Sequence, residues 1–215
     1  MLLMVGLGNP GPEYAGHRHN IGFMALDAIT HAYSFGPWRS KFSSQVSEGQ
    51  IGTTKVLLQK PETFMNRSGL AVSRAAHFYK LTLDDVLVLH DELDLAPGRV
   101  RVKDGGGVAG HNGLRSIAQS IGTRDFKRVR FGIGHPGDKA KVTGHVLGNF
   151  AKADKAWLSP LLDAFVSAVP FLVDRDDGGF LNKIAALTKP NQHKTASAPA
   201  DSAHRPAPAK AGDRG

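Results

Sequence analysis

Apolar residues are distributed along this chain in two rhythms. Short runs bounded by polar or turn residues read as strands: "LLMVGL", "SSQVSEGQI", "KVLLQK", "DVLVLHD", "GRVRVK" and "KRVRFGIG". Between them "IGFMALDAITHAY", "SGLAVSRAAHFY" and "NGLRSIAQSI" carry helical spacing, and a last apolar segment runs from Trp157 to Val173. In the first helix Ile21, Met24, Ala25, Ala28, Ile29 and Ala32 share one face, which marks it for the core. "IGTTK" between two strand-like runs reads as a hairpin turn, so part of the sheet is antiparallel. The alternation predicts an α/β fold: a single domain with a mixed, twisted β-sheet flanked by helices on both faces. Pro160 and Pro170 predict a break or kink in the last helix. From Thr188 onward the chain is rich in Pro, Ala, Ser and charge with no periodic apolar face, and residues 188–215 are expected to form a disordered basic tail behind a folded domain of residues 1–187.

The first strand runs into "VGLGNPGPEYAGHRHN", where Gly6, Gly8 and Gly11 copy the spacing of a dinucleotide-binding loop. The context argues against it. Such a loop needs its third glycine to open a helix at once, and an acid about twenty residues on at a strand end. Here Pro10 and Pro12 flank Gly11, the helix waits until about Asn20, and Asp27 falls in mid-helix. What remains is a rigid turn that crowds Asn9, Tyr14, His17, His19 and Asn20 before a helix. Asn20 suits an N-cap, which would set His19 at the positive end of the helix dipole and favour a neutral imidazole.

Three more strand ends carry polar clusters. "KVLLQKPETFMNRSG" leads through Phe64, Met65 and Asn66 into a helix; "DVLVLHDELDL" carries His90, Asp91, Glu92 and Asp94; "VRVKDGGGVAGHNGLRSI" passes a glycine-rich loop to His111 and Asn112. Ligands of open α/β sheets bind beyond strand ends, so the four turns are expected to converge on one cleft. Read singly, Asn66 and Asn112 are equally good helix caps, and the acids near Asp91 suit a solvated turn. His90, His111, His135 and His145 lack the spacing of a metal site, and no metal is expected.

Composition narrows the chemistry. The absence of cysteine removes disulfides, thiolate zinc sites and thiol catalysis. No run approaches the roughly 18 apolar residues of a membrane span, so a soluble cytoplasmic protein is expected. The formal charge is +8, of which residues 189–215, with five bases and two acids, hold +3. The remaining +5 on the body suits a polyanionic partner as well as it suits plain solubility.

Taken together, "GLGNPGPEYAGHRHNIGF", "KPETFMNRSG", "HDELDL", "GGGVAGHNGLRSI", "FGIGHPG" and "HVLGNF" resemble, in order and spacing over residues 3–185, the bacterial-type peptidyl-tRNA hydrolase family. The resemblance implies hydrolysis of the ester between a peptide and its tRNA, recycling tRNA from aborted translation, by a cytoplasmic monomer with no metal or organic cofactor. It implies His19 as the base that activates water and Asp91 as the carboxylate that orients it. Asn66 and Asn112 match the family's substrate-binding amides, and His111 and Met65 belong with them. Tyr14 and Phe64 match positions near the substrate's 3′ end. Asn9 matches the residue that separates a peptide amide from a free α-amine. Lys103, Arg130 and Lys139 match contacts to tRNA phosphates, and the segment around Gly144 and Gly148 matches a mobile cover over the cleft. Val108 and Ala109 depart from the His-Gly or small polar pair of many relatives. The rival readings are an RNA-binding protein without catalysis and a nucleotide-dependent oxidoreductase; the lack of a G-x-S-x-G elbow disfavours a serine hydrolase.

Overall fold

The computed structural model describes residues 1–189. Seven strands form one sheet: β1 (Leu2–Gly6), β2 (Arg39–Lys41), β3 (Ser44–Ile51), β4 (Thr54–Pro61), β5 (Val86–Glu92), β6 (Val100–Asp104) and β7 (Lys127–Gly132), in the order β2-β3-β4-β1-β5-β7-β6. The centre, β4-β1-β5-β7, is parallel; β2, β3 and β4 pair antiparallel at one edge and β6 pairs antiparallel with β7 at the other. The expected hairpin joins β3 to β4, with Ile51 opposite Thr54 and Gly52 in the left-handed region at φ 59°.

Alternation along the strands splits the core in two. Met4, Leu58, Leu87, Leu89 and Phe131 face α1 (Ile21–Ala32), α5 (Lys155–Val173) and α6 (Asp177–Thr188). Leu3, Val5, Leu57 and Val88 face α2 (Ser68–Tyr79) and α3 (Asn112–Ile121). The mixed sheet with helices on both faces is therefore present as expected. β5 is buried along its whole length, so its polar end, His90-Asp91-Glu92, sits inside the molecule and not on a solvated turn.

Several expectations are corrected. On α1 the buried residues are Ile21, Gly22, Ala25, Leu26 and Ile29; Met24 and Ala28 are half-buried and Ala32 is exposed, because a short helix against a twisted sheet turns its last residues away. α5 is not broken: Pro160 and Pro170 both lie within it. Pro170 cannot donate to the Val166 carbonyl, and the Tyr33 hydroxyl takes over that role at 3.0 Å. One stretch, Lys152–Val173, is long and apolar enough to cross a membrane, contrary to expectation, but Leu161, Phe165, Ala168 and Val169 spend its apolar side on the core. Strand β2, the short helix α4 (Val142–Val146) and α6 were not legible beforehand. Thr188, where the tail was expected to begin, is the last residue of α6; most of that segment lies outside the described residues.

Candidate active site

The C-terminal ends of β1, β4, β5 and β7 and the loop after β6 surround one cleft of about 650 Å³. The opening glycines serve packing. A Cβ on Gly6 would lie 2.4 Å from the Gly22 carbonyl oxygen, and one on Gly22 would lie 2.4 Å from the Leu7 nitrogen, so the pair lets α1 sit against β1. Beyond them Asn20 does not cap α1. Its Oδ1 accepts from the Asn9 backbone N–H at 3.0 Å and its Nδ2 donates to the Asn9 carbonyl at 2.9 Å, which locks the turn after β1. With Asn9 held, its side-chain Oδ1 accepts from the Met65 N–H at 2.8 Å. Its Nδ2 donors remain for the cleft, which Asn9 lines.

His19 stands in a 3₁₀ turn, Arg18–Asn20, that feeds α1. Its Nδ1 donates to Asp91 Oδ1 at 2.8 Å, which leaves Nε2 unprotonated toward the cleft. The same carboxylate oxygen accepts from His111 Nε2 at 3.0 Å. The His111 tautomer follows from its other nitrogen: Nδ1 accepts from the N–H groups of Gly113 at 3.1 Å and Leu114 at 3.4 Å, so it is bare and the proton is on Nε2. His111, and not Asn112, is thus the N-cap of α3. Burial raises the Asp91 carboxyl pKa, but the two imidazoles outweigh it and hold the group well below the usual carboxylate range. His90, with Nδ1 donating to the Asp91 carbonyl at 2.7 Å, has its pKa lowered to about 3, by burial first and then by His111.

His19, Asp91 and His111 each bring one potential ligand atom within 4.8 Å of the others, a grouping through space that sequence spacing could not reveal. It is nonetheless a poor cation site. A metal on His111 Nε2 would push the proton to Nδ1, where two amide N–H groups already point.

Phe64, Met65, Asn66, Asn112 and Lys139 also line the cleft. Asn112 Oδ1 accepts from Arg115 at 3.1 Å, leaving its NH₂ free, and Asn66 is exposed. Tyr14 stands at the rim, edge-on to Phe64 with ring centres 6.4 Å apart. Lys103 and Arg130 lie elsewhere, in an adjoining cavity of about 260 Å³ that shares His90, Glu92, Asp94, Val108 and Ala109 with the cleft. Arg130 Nε is paired with the buried Glu92 at 2.9 Å, which offsets its charge. The remaining wall is α4 with Val142, Val146 and Leu147. The segment expected to be a mobile cover is tied at its far end, where the Gly148 carbonyl accepts from the Arg18 N–H at 3.0 Å and Phe150 N–H donates to Gly16.

Fold and site define a single-domain α/β protein with a buried carboxylate that orients a cleft-facing imidazole among free amides. The model of one protein family, peptidyl-tRNA hydrolase, matches residues 3–194. A peptidyl-tRNA hydrolase of Chelativorans sp. is 62% identical over 183 residues, 85% of this chain and 76% of that one. Another, of Dinoroseobacter shibae, is 56% identical over 213 residues, 97% and 90% of the two chains. The crystal structure of peptidyl-tRNA hydrolase from Acinetobacter baumannii superposes with a TM-score of 0.81 at 41% identity, covering 86% of this chain and 95% of that one. The chain belongs to the peptidyl-tRNA hydrolase family.

Proposed function

We propose that this chain hydrolyses the ester of peptidyl-tRNA, the reaction its family is named for, with water activated by His19. The observation that carries the reading is the 2.8 Å bond from His19 Nδ1 to Asp91, which fixes the tautomer and leaves Nε2 bare at the cleft. Water at Nε2 gives up a proton as its oxygen attacks the ester carbonyl carbon. The imidazolium that forms is stabilised by the buried carboxylate 2.8 Å away. The tetrahedral intermediate then collapses, expelling the tRNA 3′ oxygen, which takes up the proton. The side-chain NH₂ groups of Asn66 and Asn112 meet the developing oxyanion, and that of Asn9 donates to a peptide carbonyl. A donor at Asn9 suits an acylated amine and repels the free ammonium of aminoacyl-tRNA.

Met65, Val146 of α4 and Leu147 just after it form an apolar wall for the peptide. On the tRNA side, Tyr14 and Phe64 offer ring faces for stacking near the 3′ end, and Lys103, Arg130 and Lys139 meet phosphates. Arg130 does so through its Nη donors, since Nε belongs to Glu92. The chain acts as a cytoplasmic monomer away from membranes, a reading that the internal use of the apolar side of α5 supports for the membrane alone.

The test is cleavage of a model peptidyl-tRNA beside the corresponding aminoacyl-tRNA. Wild type releases peptide and spares the free amine, and His19→Ala loses turnover by about a thousandfold or more. Full turnover in His19→Ala would overturn the assignment, and tRNA binding without cleavage by wild type would favour a non-catalytic RNA-binding protein.

A further inference from the structure

Arg128 on β7 is 2% exposed, yet none of the ion pairs among the described residues includes it. Its charge is answered by three backbone carbonyls: Nη1 donates to Gly107 at 2.7 Å, and Nη2 donates to Gly106 at 3.0 Å and Arg124 at 2.9 Å. The guanidinium carbon lies 4.6 Å from the centre of the Phe126 ring, and Nε has no partner. Burial, then the charges of Arg130 and Arg124, push its pKa down. Asp125 and Glu92 act on it only from beyond ion-pair distance, and a buried cation with no directly paired acid is costly, so an apolar side chain would fill this place on a core strand more cheaply.

What the cation does is hold a loop that has little else to hold it. Gly105, Gly106, Ala109 and Gly110 all adopt left-handed φ, and their segment makes no regular ladder. Arg128 draws two successive carbonyls inward, which fixes two peptide planes, since each trans unit is rigid. The next carbonyl, that of Val108, accepts from the His111 N–H at 2.8 Å. His111 then caps α3 through Nδ1 and bonds Asp91 through Nε2. A continuous line of hydrogen bonds and fixed planes therefore leads from Arg128 to Asp91.

We propose that Arg128 is a positioning residue for the hydrolytic reaction, holding the loop 105–110 so that His111 and Asn112 keep their register to Asp91. It rests on the assignment of His19 and Asp91 given above. Arg128→Met keeps an unbranched apolar stem without the donors, and Arg128→Lys keeps the charge but replaces the planar fork that spans three carbonyls with a single ammonium. In Arg128→Met, kcat per folded molecule falls by about tenfold to a hundredfold. At the same time the imidazole ¹⁵N spectrum of His111 changes from a single Nε2–H tautomer to a mixture. Arg128→Lys lies between it and wild type on both readouts. If Arg128→Met does not fold, Arg128→Lys against wild type carries the same test. Unchanged kcat and an unchanged His111 tautomer would overturn the proposal, however far the melting temperature drops. His19→Ala is assayed alongside: if it is inactive while the Arg128 variants match wild type, only the positioning role fails, and if it is fully active, the site assignment itself fails.

Discussion

At the scale of single residues, the site depends on which nitrogen of each imidazole holds the proton. His19 and His111 both present N–H to one oxygen of Asp91, and His90 presents N–H to the Asp91 backbone carbonyl. Three histidines thus meet one residue, each oriented by the N–H it donates there. His90 has a cost that pH exposes. Unfolded, its imidazole takes a proton below about pH 6.5. Folded, it stays bare down to about 3. The unfolded chain binds more protons across that window, so stability is full above it and falls as pH drops from about 6.5 toward 3. The slope is on the order of 1 kcal/mol per pH unit. Urea unfolding across this range gives a shallower dependence for His90→Gln than for wild type, and parallel curves for the two would refute the assignment.

At the scale of elements, close approach decides where the groups proposed for catalysis stand. His19 stands in the turn that leads into α1, and the distance of α1 from the sheet is set by Gly22. A Cβ there would meet the Leu89 carbonyl oxygen at 2.5 Å as well as the Leu7 nitrogen, both of which are backbone and unable to move aside. Gly22→Ala therefore forces α1 outward, destabilising the fold by about 1–3 kcal/mol. It also moves His19 away from Asp91, so activity falls even at temperatures where the variant is folded. Thermal melting and turnover measured together check this; a variant with the wild-type melting temperature would show that the helix has room to spare. The "G-x-G" of the opening loop is thus explained by helix–sheet contact, a use that the nucleotide spacing disguised. The same scale explains α5, whose second proline is tolerated because Tyr33 supplies the missing donor.

At the scale of the whole molecule, charge and shape separate two tasks. The cleft holds the imidazoles and amides, while Lys103 and Arg130 stand in the adjoining cavity behind the glycine-rich loop and Lys139 at the cleft's edge. Affinity for tRNA falls linearly on a log–log plot as salt rises. Lys103→Ala reduces that slope by about one and weakens binding alike for different tRNAs. An unchanged slope would remove Lys103 from the phosphate contacts.

The sequence by itself determined most elements of the sheet, the convergence of four polar strand ends and the family's motifs, because strand alternation, helical spacing and turn residues are local properties of the chain. β2 and α4 are not legible in it because three and five residues carry too little periodicity to register. Only the tertiary structure decided the partners. Asn20 reads as a helix cap until the turn at Asn9 is seen beside it, and His111 reads as a neighbour of Asn112 until its two nitrogens are found between α3 and Asp91. Arg128 reads as one more charge on a basic strand, and its burial beneath the glycine-rich loop is invisible in "KRVRFGIG". Each of these depends on contacts between residues distant in sequence, 72 positions for His19 and Asp91 and 22 for Arg128 and Gly106, and no local pattern encodes which of many possible partners the fold brings near.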